Sequence, residues 1–215
     1  MNRIWIKNPL ACFDGLHADT FKGGLVIEGN WIVETLAAHE QPKSHVDIVF
    51  DASNHVVLPG LINTHHHFYQ TLTRAYHAAL DKPLFDWLQA LYPVWAHLTD
   101  DMITSATRLA ACELLLSGCT TAVDHHYVFS DTLTEAIDRQ VDATSSVGIR
   151  SVLTRGSMSL GKSAGGLPPD SVVQPSAVIL NDSARLIKHY HQRTPGAMCQ
   201  IALAPCSPFS VTADV

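Results

Sequence analysis

Three consecutive histidines, His65-His66-His67, close the segment Val56-Val57-Leu58-Pro59-Gly60-Leu61-Ile62-Asn63-Thr64. Side chains on an extended strand alternate between faces, so His65 and His67 point one way and His66 the other. Two imidazoles at i and i+2, at the end of a buried strand, can grip one divalent metal ion. A metal held in a pocket lowers the pKa of bound water and supplies hydroxide near neutral pH. The competing readings are a surface cluster, an expression tag or a satisfied buried histidine. A tag sits at a terminus, which this cluster does not, and the apolar run with its Pro-Gly favours the metal.

Other residue types capable of chemistry fall where further strands end. Asp124-His125-His126-Tyr127 closes the second strand-like run, Thr120–Asp124. Alternation lets only one of the two histidines face inward; His125 is assigned to the pocket lining, with Tyr127 beside it. Arg155 closes a third run, where its guanidinium could pair with oxo groups of a ligand or simply be solvated. Cys206 follows Pro205 after a fourth, as a pocket-lining thiol or an inert buried cysteine. Gln70, three residues past His67, is either an exposed loop residue or an amide that donates to a carbonyl and accepts from an N–H.

The elements that must position these residues come in two styles. Over residues 1–55, Ile4–Lys7, Leu25–Glu28, Trp31–Leu36 and Ile48–Asp51 read as short strands, with Gly29-Asn30 as a hairpin turn. From residue 56 strands and helices alternate. Strands are expected at Val56–Thr64, Thr120–Asp124, Ile149–Arg155 and Met198–Pro205, with a short helix over Leu84–Leu91 that ends near Pro93. Helices are also expected over Asp100–Ser117, Thr132–Val147 and Ala177–Arg193. Thr99 is a natural N-cap, and Ile103, Ala106, Ala110 and Leu114 form a core-facing stripe. Such alternation implies a parallel sheet with crossover helices. Chemistry at the carboxyl ends of parallel strands is the habit of (β/α)8 barrels and doubly wound sheets.

One motif is a decoy. Gly156-Ser157-Met158-Ser159-Leu160-Gly161-Lys162-Ser163 matches the phosphate-loop pattern, which requires a helix to start at once. The continuation Ala164-Gly165-Gly166-Leu167-Pro168-Pro169 will not form one. The HxE…PCxxC signature of the zinc-dependent cytidine-type deaminases is absent.

Composition narrows the class. Of 215 residues, 47% are hydrophobic, enough for a real core, and 14 basic against 20 acidic residues give a net charge of −6. No basic stretch points to nucleic acid, no run has membrane-spanning length, and the polar start does not read as a signal peptide. Five cysteines, odd in number and without a CxxC, suit a reducing cytoplasm.

Pro59 to His67 resembles the first barrel strand of the amidohydrolase superfamily, in its branch of purine, pterin and triazine aminohydrolases. Gly118-Cys119-Thr120-Thr121-Ala122-Val123-Asp124 is similar to that branch's second strand. His65–Arg74, Arg155–Leu160 and Ala204–Ser210 narrow the resemblance to enzymes that deaminate oxopurines, 8-oxoguanine foremost. Isoxanthopterin deaminases and hydroxyatrazine-type hydrolases are similar over the same segments. The resemblance implies an α/β fold: the N-terminal half of a (β/α)8 barrel over 56–215, preceded over 1–55 by part of a small β-sandwich. It also implies one divalent metal, zinc first and iron second, with His65 and His67 as two ligands. Gln70, Arg155, Cys206, Tyr127 and His125 become candidate contacts to a small heterocyclic substrate, and a homo-oligomer is expected. The family's other ligands follow strands five, six and eight, and its proton-shuttling glutamate lies near the strand-five histidine. No catalytic residue is therefore expected before Val215. The chain reads as the front half of a hydrolase acting on a carbon–nitrogen bond, or as a non-catalytic fragment of one.

Overall fold

The computed structural model describes residues 2–15 and 21–215. They form two compact units, residues 1–60 and 61–215.

The first unit holds β1 (Arg3–Lys7), β2 (Ala11–Cys12), β3 (Gly24–Glu28), β4 (Trp31–Leu36), β5 (Ile48–Asp51) and β6 (Val56–Val57). A four-stranded sheet runs in the order β4-β3-β1-β5, and β2 pairs with β6. The antiparallel β3–β4 pair is the hairpin expected around Gly29-Asn30. Trp5, Val26 and Leu36 form the small core, and the Trp5 indole N–H donates to the Gly23 carbonyl at 3.0 Å. That bond satisfies the one polar atom the ring would otherwise bury unpaired.

The second unit is a parallel sheet in the order β10-β9-β8-β7, built from β7 (Leu61–His66), β8 (Cys119–His126), β9 (Arg150–Ser157) and β10 (Cys199–Pro205). Its helices are α1 (Leu84–Trp95), α2 (Asp100–Leu116), α3 (Ala136–Val147) and α4 (Ser176–Tyr190). Because successive strands are neighbours, α2, α3 and α4 serve as the three crossovers. The Thr99 side chain accepts from the Met102 N–H at the start of α2, and Gly148 closes α3 in the left-handed conformation, φ 86°. Ile103, Ala110, Ile137 and Leu186 of the helices are buried in one core with Ala122, Leu153 and Ile201 of the strands.

Several boundaries differ from the sequence expectation; β8 runs on to His126 and α4 stops at Tyr190. The run from Val56 to Thr64 is broken, β6 ending at Val57 and β7 starting at Leu61; Pro59 has no N–H for a ladder. Helix α1 continues past Pro93 to Trp95. Helix α3 starts at Ala136, four residues later than expected, after a turn in which Ser130 and Leu133 form a bridge. Strand β9 runs on through Arg155 to Ser157, which decides where Arg155 points. At the phosphate-loop match, only a three-residue 3-10 turn forms, Lys162–Ala164.

Candidate functional site

A cleft of about 470 Å³ opens where the four strands of the second unit end. Its floor comes from His65 of β7 and His67 just past its end, His125 of β8, and Thr154 and Gly156 of β9. Gln70, Tyr127 and Cys206 line it from the turns that follow the strands, and Trp87 and Tyr92 of α1 complete one wall.

The histidine pair is built by a break in the β7–β8 ladder. Pairing is regular at Ile62–Thr121 and Asn63–Ala122, then resumes only at His66–Asp124. Thr64 and His65 thus face the single residue Val123, a bulge that re-aims side chains. The Asn63 side chain accepts the His65 N–H at 3.0 Å and holds that bulge. As a result His65 and His67 converge, their Nε2 atoms 3.2 Å apart and their rings nearly perpendicular at 85°. The His67 Nδ1–H donates to the His125 carbonyl at 2.7 Å, which leaves the Nε2 lone pair pointing at His65. Burial pushes the His67 pKa down to about 4, against the help of that hydrogen bond, so the ring is neutral at pH 7.

This donor set fits a divalent metal. Two N–zinc bonds of about 2.05 Å at a tetrahedral angle put their nitrogens roughly 3.3 Å apart. A metal-ligating histidine normally gives its other N–H to a carbonyl or carboxylate, as His67 does here. His125 stacks on His65 with ring centroids 4.6 Å apart, and burial lowers its pKa too. Among the described residues no group of three or more histidine, cysteine or acidic side chains could hold a metal.

The remaining sequence candidates divide. Gln70 borders the cleft in the 3-10 turn Phe68–Thr73, its amide 3.4 Å from the Tyr69 hydroxyl. Tyr127 is nearly buried, and burial raises its phenol pKa. The Cys206 thiol is raised by burial as well, despite hydrogen bonds with Ser210 and Ser207, and so is no ready nucleophile. His126 turns away from the cleft, wholly buried, its Nε2–H donated to the Val128 carbonyl at 2.7 Å. His66 also lies off the cleft lining and packs toward Phe68.

Arg155 is a correction. Because β9 continues to Ser157, Thr154 and Gly156 face the cleft and Arg155 faces the helices. Its side chain is fully buried and donates to Asp182 at 2.9 Å, Gln174 at 2.7 Å and the Gly156 carbonyl at 2.6 Å. Its guanidinium also lies 3.9 Å over the Phe129 ring. These bonds hold the guanidinium among the residues behind the sheet, away from the cleft.

Sequence reasoning missed Thr154, Gly156, Tyr69 and Asp124. A Cβ on Gly156 would stand 2.4 Å from the His126 carbonyl and 2.7 Å from the Tyr127 Cβ, so only glycine lets Tyr127 close over β9. Asp124 is wholly buried beneath the histidine pair. The signal for it was in view: a carboxylate at the end of the strand Thr120–Asp124 is rarely buried without partners.

Two neutral histidines, half-buried His67 and buried His126, carry a pH consequence. Burial lowers His67 to about 4 and His126 to about 3, from 6.5. Between 6.5 and those values the unfolded chain binds more protons at these two sites, so their contribution to stability is full above pH 6.5 and falls as the solution is acidified, while Asp124, raised to about 7 by burial, works in the opposite direction below pH 7. Each histidine adds a slope of up to about 1.4 kcal/mol per pH unit. Urea unfolding of metal-free protein at pH 7, 5 and 4 should show the decline, and His126→Gln should make it shallower. Equal slopes for the two proteins would refute the assignment to His126.

Residues 56–215 match the profile of the amidohydrolase family. The whole chain is 59% identical to an 8-oxoguanine deaminase from Pseudomonas aeruginosa, over 48% of that protein's length. A 154-residue stretch is 40% identical to hydroxydechloroatrazine ethylaminohydrolase from Pseudomonas sp. strain ADP, 70% of this chain and 32% of that one. Among solved structures, atrazine chlorohydrolase from Arthrobacter aurescens TC1 in complex with zinc superposes with a TM-score of 0.88. The identity there is 29%, over 98% of this chain and 48% of the other. The chain thus spans about half the length of these deaminase and chlorohydrolase relatives.

Proposed function

This chain belongs to the amidohydrolase family, and from that premise we propose that it forms the N-terminal half of a metal-dependent deaminase that converts 8-oxoguanine and water into urate and ammonia. The observation that carries the reading is the His65–His67 pair, its Nε2 atoms 3.2 Å apart on the floor of a cleft at the strand ends. The 59% identity to an 8-oxoguanine deaminase supports the choice of substrate.

In this reading residues 56–215 supply strands one to four of a (β/α)8 barrel, and residues 1–55 part of a β-sandwich. The open edges of the sheet support that arrangement. Leu61 and Ile62 on β7 are 57% and 66% exposed, and Leu203 on β10 is 53% exposed. Exposed apolar edges of this kind are normally covered, here by further strands. The other metal ligands and the proton shuttle come from outside the sequence given.

When bound, a zinc or iron ion supplies the activated water. The chain's own residues hold and orient. His65 and His67 offer two neutral Nε2 donors, and the His125 carbonyl fixes the ring of His67. The Gln70 amide reads one edge of the heterocycle. Tyr127, His125 and Cys206 shape the wall against which the ring lies. No helix among the described residues is long and apolar enough to cross a membrane.

A second substrate class has its own support in the 40% identity to hydroxydechloroatrazine ethylaminohydrolase. Ammonia release by the product of the complete source gene should be measured on 8-oxoguanine, isoxanthopterin and amino-substituted triazines. The highest kcat/KM is expected on 8-oxoguanine. A preference for either of the others would reassign the substrate, and inertness toward all three would overturn the reading.

A further inference from the structure

The metal reading leaves the fully buried carboxylate of Asp124 without a task. It makes no ion pair among the described residues, yet buried carboxylates are costly unless bonded. Besides the backbone of its neighbour His125, two groups beyond β8 bond to it. Oδ1 accepts the Phe68 backbone N–H at 2.5 Å, and Oδ2 accepts the Gln140 side-chain N–H from α3 at 2.6 Å. Phe68 directly follows His67, at the point where β7 has left its ladder and the 3-10 turn begins. No strand carbonyl is available there, so the side chain of Asp124 stands in for one. The next residue on β8 completes the grip, because the His125 carbonyl takes the His67 Nδ1–H at 2.7 Å. Two consecutive residues of β8 thus hold the two residues that follow β7, one by its ring and one by its backbone.

We propose that Asp124 is the positioning residue of the metal pair: by pinning the Phe68 amide it holds His67 where its Nε2 meets that of His65, while its second oxygen ties α3 to the sheet. The inference rests on the metal reading of His65 and His67. It assigns the work to an acceptor oxygen at one place, so asparagine should replace aspartate. In Asp124→Asn the side-chain oxygen would still accept from Phe68, and the new amide could donate to the Gln140 Oε1, which is buried without a partner.

The test is zinc affinity, by chelator competition, in the product of the complete source gene. Asp124→Ala is expected to lose about 10- to 100-fold in affinity, the usual scale for removing an outer partner of a metal ligand. Asp124→Asn is expected to stay close to wild type. The Phe68 amide should exchange faster in the alanine variant and not in the asparagine variant. Gln140→Leu, which cuts only the α3 side, should lower the unfolding temperature while zinc affinity holds. If Asp124→Ala does not fold, Asp124→Glu takes its place; the extra methylene displaces the acceptor, and the same loss is expected. Undiminished affinity in the alanine or glutamate variant overturns the inference alone. An asparagine variant as weak as alanine also overturns it, since charge rather than an acceptor would then be at work. A wild-type protein that holds no zinc overturns the metal reading and this inference together.

Discussion

His67→Ala protein, prepared from the complete source gene, is expected to come off the column without its metal and to release ammonia at least about a thousandfold more slowly, roughly 4 kcal/mol of lost transition-state stabilisation. The imidazole carries two functions in one ring. Its Nε2 converges on that of His65, and its Nδ1–H is fixed on the His125 carbonyl. Alanine deletes the donor and the orientation together. His65, exposed and stacked on His125, then stands as the one remaining imidazole of the pair, too few for a site that normally takes three protein ligands and a water. His66→Ala is the control. That ring lies off the cleft lining, so both metal content and ammonia release should survive its removal. Metal per polypeptide by elemental analysis and ammonia by a coupled assay decide the matter. Full metal and full rate in His67→Ala would refute the ligand assignment; loss of both in His66→Ala would refute the division of the triplet by strand alternation.

How much of this was legible beforehand depends on which physical rule governed each residue. Strand alternation separates His65 and His67 from His66 with no knowledge of the fold, since the period of two is local. The same rule lets only one of His125 and His126 face inward, and His125 is the one that lines the cleft. It fails at Arg155 for an instructive reason. The strand was expected to end there, and a terminal residue is free of the alternation; with β9 running to Ser157, parity turns the guanidinium to the helices. An error of two residues in a strand end therefore moves a side chain from the site to the core. The convergence of the two histidines was not legible at all. It depends on a bulge across from Val123 and on bonds from Asn63, His125 and Asp124, and three of these four residues lie across the sheet from the triplet's own segment. The rejected phosphate loop shows the opposite case. Gly165-Gly166 and Pro168-Pro169 speak against a helix in their own right, and only a 3-10 turn forms.

The placement of Arg155 turns a failed expectation into a sharp one. Arg155→Ala removes a fully buried guanidinium that serves three acceptors and covers the Phe129 ring. Burial lowers its pKa, while Asp182 works in the other direction. Breaking a buried ion pair from one side typically costs about 3–5 kcal/mol, because the partner stays behind. Part of that is offset here, since Asp182 also pairs with Arg185 at 2.8 Å. Even the lower figure should bring the unfolding temperature down by roughly 6–12 °C at about 2–4 °C per kcal/mol for a chain of this size. The catalytic signature should be the reverse of a substrate contact. Folded Arg155→Ala protein, assayed well below its unfolding temperature, should keep its KM for 8-oxoguanine within about twofold of wild type, whereas a lost charged hydrogen bond to substrate would raise it by about tenfold or more. Asp182→Asn should destabilise in the same direction and also leave KM alone, because the two side chains work as one pair behind the sheet. A variant with unchanged stability and a KM raised about tenfold would return Arg155 to the cleft and show that the guanidinium swings inward when substrate is present.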